Sequence, residues 1–256
     1  MDTKNIMIVG VGGQGTLLAS KLLGRILLEN GYDVKVSEVH GMSQRGGSVV
    51  TYVRYGKKVY SPIIDKGEAD FVLSFELLEA ARWAEYLKEG GVLLTNTQKV
   101  NPMPVITGAA EYPKALEKKL AALPIRLDAM DALGLALRAG SARAVNLVLL
   151  GRLSRYFNFT DEQWQDAIEK SVPAKFLELN KKAFALGLQG AKKHALDLHK
   201  VDDHAEFVHS VCREGHQDAV IVPVQALAAA PVFVQSVRRR NDVLARNFHH
   251  SCSSRK

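Results

Sequence analysis

The chain has 256 residues, 47% hydrophobic and 24% charged, which fits a soluble globular protein with one large domain, or one domain and an appendage. Its net charge of +7 suits an anionic ligand, but it is not gathered into the basic stripe of a nucleic-acid binder, and no apolar run reaches the length of a membrane span. Both cysteines, Cys212 and Cys252, lie late, so residues 1–190 carry neither the roughly four thiolates of an iron–sulfur cluster nor a disulfide framework.

The chain enters a buried strand at residues 5–10 without a signal peptide, and the expected location is the cytoplasm. A helix follows from about Gln14 to Asn30, with Leu18, Leu22, Leu23, Ile26 and Leu27 on its apolar face and Gly31 at its end. Tyr32 to Val39 and Ser48 to Tyr55 read as strands. The turn signal Gly56-Lys57-Lys58 before Val59-Tyr60 predicts a hairpin there, interrupted by Pro62. Ala69 to Ser74 is another buried strand. A helix from Glu76 to Lys88 is stopped by Gly90-Gly91, and Val92 to Thr95 is the next strand. Further on, the pattern predicts a short strand at Val105-Ile106, a helix over Tyr112 to Leu123 and a last strand at Ile125 to Asp128. From Asp131 the pattern is helical. Ala142 to Phe157 forms a buried helix, and Thr160 to Gln163 is a capping box that opens a helix ended by Pro173. Ala174 to Leu188 is amphipathic.

Strands alternating with helices predict an α/β fold: a layered, mainly parallel sheet with flanking helices, plus a helical C-terminal part and an appended tail. The domain spans residues 1–190. Residues 191–256 form an atypical tail holding seven of the eight histidines. His194, His199, His204 and His209 recur every five residues, a step of about 140° on a helix, so they share no face. His209, Cys212 and His216 can share one and could ligate a metal. The plainer reading is a disordered or loosely packed appendage, and no metal site is assigned.

Two glycine-rich loops carry the chemistry. The first, Gly10-Val-Gly12-Gly13-Gln14-Gly15, joins a strand to a helix start. That geometry aims backbone N–H groups at an anion, and glycine lets the ligand come close. The same sequence also serves as a tight turn with no ligand. A dinucleotide site wants an acidic residue about 20 positions on, whereas Glu38 lies 28 positions after Gly10. An enzyme of the ubiquitin-activating class often uses a nucleophilic cysteine, which residues 1–190 lack. A diphosphate or coenzyme A contact needs only backbone donors and basic groups. The second loop, His40-Gly-Met-Ser43-Gln44-Arg45-Gly46-Gly47-Ser48, adds one fixed charge. Arg45 suits a carboxylate or phosphate, Ser43 and Gln44 add neutral donors, Gly46 and Gly47 admit a ligand or another chain, and His40 titrates near neutral pH. A turn-bound His40 and an Arg45 in a surface or intersubunit ion pair are the structural alternatives.

Gly10 to Ser20, Ser37 to Val49 and Val59-Tyr-Ser-Pro-Ile63, with Ala144 to Gly151, closely resemble the small subunits of indolepyruvate ferredoxin oxidoreductases, in the family of 2-oxoacid:acceptor oxidoreductase gamma domains. The resemblance covers residues 1–190, and the His-Gly-Met-Ser-Gln stretch favours the aryl-pyruvate branch over the pyruvate branch. It implies a subunit active only with its large partner. That partner carries thiamine diphosphate and iron–sulfur clusters, and this chain holds no cofactor alone. The complex decarboxylates an aryl pyruvate oxidatively, passes electrons to ferredoxin and forms an acyl-CoA, with coenzyme A as co-substrate. His40 and Arg45 are then the catalytic candidates. Gly10, Gly12, Gly13, Gln14, Gly15, Ser43, Gln44, Gly46 and Gly47 are the binding candidates. A free-standing nucleotide- or NAD(P)-binding Rossmann-like protein is the alternative, and a structural partner with vestigial loops is a third.

Overall fold

The computed structural model describes residues 3–40 and 47–190. Six strands form one sheet: β1 (Lys4–Val11), β2 (Asp33–His40), β3 (Ser48–Gly56), β4 (Ala69–Ser74), β5 (Leu87–Asn96) and β6 (Arg126–Met130). Their spatial order is β2-β3-β1-β4-β5-β6. Successive pairs among β1, β4, β5 and β6 are parallel, whereas β3 is antiparallel to both β1 and β2. The helices are α1 (Thr16–Glu29), α2 (Leu77–Trp83), α3 (Met103–Ile106), α4 (Leu116–Ala121), α5 (Ala132–Ala139), α6 (Val145–Leu153), α7 (Asp161–Ser171) and α8 (Leu177–Gln189). The layered α/β fold read from the sequence is the one observed, in a sheet of mixed direction.

The apolar run Ile6-Met-Ile-Val9 is fully buried because β1 is a central strand covered on both faces. Ile6 and Ile8 share a core with Val53, Leu73 and Leu94 and with the inner residues of α1, α6, α7 and α8. Met7, Val72 and Leu93 alternate with these, on the face where α2 packs on β1, β4 and β5. At one end of the first core, aromatic rings pack together, with Tyr32 and Tyr55 at 5.3 Å and Trp164 and Phe184 at 5.4 Å between centroids.

The C-terminal helices are locked to the sheet at two places. A Cβ on Gly187 of α8 would lie 1.9 Å from the Val148 carbonyl oxygen of α6, and one on Gly151 of α6 would lie 2.1 Å from the Phe184 oxygen. The two helices therefore cross backbone on backbone. Arg152 of α6, which is buried, donates from Nε to Asp128 of β6 at 2.7 Å and from the guanidinium to the Gly190 carbonyl at 2.9 Å, clasping the end of the helical region to the sheet.

Several boundaries differ from expectation. No strand returns after Gly56; Val59 is buried and its N–H donates to Asp33. The antiparallel character comes instead from β3, which pairs back onto β2 across the second glycine loop and onto β1 on its other edge. Val105-Ile106 lies in α3, not in a strand. Pro102 and Pro104 sit at its start, where a missing N–H costs nothing. The helix expected to Lys88 ends at Trp83. A 3-10 turn follows, and Gly90-Gly91 lie inside β5 beside a register shift rather than at a helix stop. The predicted capping box at Thr160 is present. Among the described residues no helix is long and apolar enough to cross a membrane. The expectations for residues 191–256, including His209, Cys212 and His216, lie outside the described residues.

Candidate functional site

The carboxyl ends of β1, β4 and β5 open on one edge of the sheet. From β1 the chain turns through the first glycine loop into α1, and from β4 it turns through Phe75 and Glu76 into α2. Strands reached after α1 lie on one side of β1 and those reached after β3 on the other, so the β1–β4 boundary is a topological switch point, where open α/β sheets bind ligands.

The first loop is braced from within. Gln14 turns its side chain inward: its Oε1 accepts from the Val11 N–H at 2.7 Å, and its Nε2 donates to the Phe75 carbonyl at 3.3 Å. A Cβ on Gly10 would meet this Oε1 at 2.9 Å, so Gly10 makes room for the brace. Gly13 and Gly15 have φ of +101° and +89°, in the region that favours glycine. Gly13 is exposed with nothing near its missing side chain, while Gly15 abuts Asn146. α1 starts at Gly15 without a side-chain cap and without an acidic residue in its first turn. The orphan N–H groups of a helix start and the positive end of its dipole therefore face the loop.

The two glycine loops meet. The Gly12 N–H donates to the Gly47 carbonyl at 2.8 Å, and Val11 pairs with Ser48 in the ladder. His40 closes β2 opposite Val49, on the same edge. The expectations for Ser43, Gln44, Arg45 and Gly46 lie outside the described residues.

A pair of buried carboxylates, not anticipated from the sequence, lies beside the loops. Glu76, 1% exposed, caps α2: it accepts from the Glu79 N–H at 2.9 Å, the Val100 N–H at 3.0 Å and the Tyr112 hydroxyl at 2.6 Å. Burial pushes its carboxyl above the usual range despite these donors, and the neighbouring Glu79 adds to the rise. Burial and the Glu76 carboxylate also raise the Tyr112 phenol. Glu79, 2% exposed, accepts from Ser48 Oγ at 2.5 Å, from Arg82 at 2.6 Å and from Trp83 Nε1 at 3.3 Å. Glu76, Glu79, Ser48 and Arg82 line a small cavity of about 20 Å³ with Val11, Val100 and Pro102. The available signal was the spacing Glu76-Leu-Leu-Glu79 directly after a buried strand, with the first Glu at a cap position. Asn96, fully buried, ties the strand ends together. It donates to the Phe75 carbonyl at 3.2 Å and accepts from the Ala132 N–H at 3.1 Å.

Glu38, the candidate ribose ligand, is elsewhere. β3 intervenes between β1 and β2, so β2 lies two strand spacings from β1, roughly 9–10 Å, instead of one. Glu38 lines a groove with Leu17, Lys21, Val36 and Lys170 on the sheet's edge. Among the described residues no group of three His, Cys, Asp or Glu side chains is placed to hold a metal ion.

The model of the family described as pyruvate ferredoxin/flavodoxin oxidoreductase matches residues 5–190. The chain is 46% identical over 198 residues to the indolepyruvate oxidoreductase subunit IorB of Thermococcus kodakarensis, covering 75% of this chain and 98% of that protein. It is 38% identical over 191 residues to the protein of the same name from Archaeoglobus fulgidus, covering 73% and 94%. Its fold matches the crystal structure of pyruvate oxidoreductase subunit PORC from Thermotoga maritima with a TM-score of 0.59 at 24% identity, covering 75% and 98%. A match over nearly the whole described region and nearly the whole of these relatives settles the assignment: the chain belongs to the pyruvate ferredoxin/flavodoxin oxidoreductase family.

Proposed function

We propose that this chain is the small subunit of an indolepyruvate-type ferredoxin oxidoreductase, active only with a large subunit. The observation that carries this reading is the 46% identity, over 98% of its length, to a relative named as an indolepyruvate oxidoreductase subunit. The reaction is the oxidative decarboxylation of an aryl pyruvate with coenzyme A, giving carbon dioxide, an arylacetyl-CoA, a proton and two electrons for ferredoxin. Thiamine diphosphate, carried with the iron–sulfur clusters by the large subunit, supplies the carbanion chemistry.

The chain's own part is to present donors to an anion. The open start of α1, with Gly13 and Gly15 beside it, offers backbone N–H groups that suit the diphosphate of coenzyme A, while Gly12 joins the two loops through its bond to the Gly47 carbonyl. Gly10 and Gln14 keep that loop in shape from beneath. Ser43, Gln44, Gly46 and Gly47 contribute from the second loop, where Arg45 clamps a phosphate or carboxylate and His40 serves as a proton-exchanging neighbour. Residues 1–190 form the working domain and 191–256 an appended tail.

The test is assembly and turnover. The chain alone should be colourless and inactive. Co-expressed with a cysteine-rich large subunit, it should give a brown complex that reduces ferredoxin with indolepyruvate and coenzyme A faster than with pyruvate. Arg45→Ala should raise the KM for coenzyme A about ten- to a hundredfold, the loss of a charged hydrogen bond, while leaving the oxoacid KM nearly unchanged. Tight NAD(P) binding by the chain alone, or 2-oxoacid oxidation without a partner, would overturn the proposal.

A further inference from the structure

We propose that Glu79 is a positioning residue: through Ser48 it holds the Gly47–Ser48 end of the second glycine loop against the first loop, and so sets the affinity of the site for its anionic co-substrate. This rests on the functional reading above.

The path is short and continuous. Glu79 sits in α2 and accepts from Ser48 Oγ at 2.5 Å. Ser48 opens β3 opposite Val11, and Gly47 before it accepts from the Gly12 N–H at 2.8 Å. One carboxylate thus links the helix after β4, the start of β3 and the loop after β1. Its other donors, Arg82 and Trp83, lie on or beside the same helix and fix the carboxylate's direction toward Ser48.

Stability alone is a poor reason for this arrangement. Removing a carboxylate from water is costly, and a buried ion pair is often no better for stability than apolar packing. Arg82 and Glu79 are three residues apart on a helix, a spacing that could form an ordinary surface pair. Instead the carboxylate is buried where it meets the Ser48 hydroxyl, next to the loop contact. Ser48 itself is exposed, so it is not needed to fill the core. The pairing has the properties of a geometric restraint, charge-assisted on one side and directed at a loop end.

If Glu79 restrains the loop, releasing it lowers the fraction of molecules in the binding geometry. Apparent affinity then falls in proportion, while the chemical step at saturation is unaffected. The experiment uses the assembled two-subunit complex with coenzyme A, an aryl pyruvate and ferredoxin, comparing wild type, Ser48→Ala, Ser48→Thr and Glu79→Gln. Ser48→Ala should raise the KM for coenzyme A roughly three- to tenfold, with kcat and the oxoacid KM within about twofold of wild type. Ser48→Thr keeps the hydroxyl at an exposed strand position and should restore the wild-type KM. Glu79→Gln has one acceptor oxygen for three side-chain donors and should move coenzyme A KM at least as far as Ser48→Ala. An unchanged coenzyme A KM in Ser48→Ala, or equal losses in all three kinetic constants, overturns the role of Glu79. A wild-type complex whose turnover ignores coenzyme A instead overturns the functional reading and this proposal with it.

Discussion

Replacing Gly187 with alanine tests how closely α6 and α8 cross. The added Cβ would sit 1.9 Å from the Val148 carbonyl oxygen and 2.7 Å from its carbon. A close carbon–oxygen contact begins at about 3.3 Å, so the helices must separate by roughly 1.4 Å. The obstructing atoms are main chain on a buried helix and cannot rotate away. Overpacking of this kind costs about 1–3 kcal/mol, occasionally more, and the cost here belongs at the upper end. Alanine regains about 1 kcal/mol of helix propensity, leaving a net loss of about 2 kcal/mol. For a domain of this size that lowers Tm by about 4–8 °C. Gly24 of α1 is the control. Its Cβ would meet only Val36 Cγ2 at 3.8 Å, an ordinary contact, so Gly24→Ala should gain propensity and raise Tm by about 2–4 °C. Thermal and urea unfolding followed by circular dichroism measures both. A Gly187→Ala protein as stable as wild type, or both variants shifting in the same direction, would refute the backbone-on-backbone crossing.

In the first glycine loop, Gly15→Ala should cost more stability than Gly13→Ala, because Gly15 adds a 2.8 Å clash with Asn146 to the positive φ they share. Gly13→Ala carries only backbone strain of about 1–2 kcal/mol, and it should cut activity of the complex more than it lowers Tm if that exposed turn faces a ligand. For Asp70, 7% exposed, burial pushes the carboxyl up, but hydrogen bonds from Lys88, the Asn5 N–H and Lys4 outweigh it and hold the carboxyl below its ordinary range. The folded value lies below the unfolded one, so the stabilisation is full above about pH 4 and is lost as pH falls through the folded value. Asp70→Asn should therefore be less stable than wild type by about 1–3 kcal/mol at pH 7, with the gap closing in acid titrations followed by urea unfolding. Truncation after Gly190 should place the new terminal carboxylate beside Arg152, which already holds the Gly190 carbonyl. The shortened chain should melt within about 3 °C of the full one and still assemble with its partner; a larger drop or failed assembly would show that residues 191–256 support the domain.

Local signals in the sequence located most of the fold. The apolar run of β1, the leucine face of α1 and the Thr160 capping box depend on neighbouring residues and are visible in the string. Strand pairing is not local. Nothing near Gly56 reveals that β3 is already paired on both edges, and this is why a returning strand at Val59 has no place to go. Val105-Ile106 is too short an apolar run for periodicity to choose between strand and helix, and the flanking prolines decided it. At the site, Gly13 and Gly15 mark the first loop because their backbone angles favour glycine. Glu76 and Glu79 read as ordinary helix-surface acids until the fold places Ser48, Val100 and Tyr112 over them. Gln14 shows the reverse, a polar loop residue whose amide is taken up by the protein's own backbone.

The chain contains two tryptophans, and they fall in different places. Trp164 is buried in the aromatic cluster under the C-terminal helices, while Trp83 donates its indole N–H to the Glu79 carboxylate. The protein therefore carries two intrinsic fluorophores with separate assignments. With Trp164→Phe, emission comes from Trp83 alone and follows the environment beside the glycine loops as ligand or partner is added. With Trp83→Phe, emission comes from Trp164 alone and follows the melting of the core, so binding and unfolding can be recorded on one instrument without an attached dye.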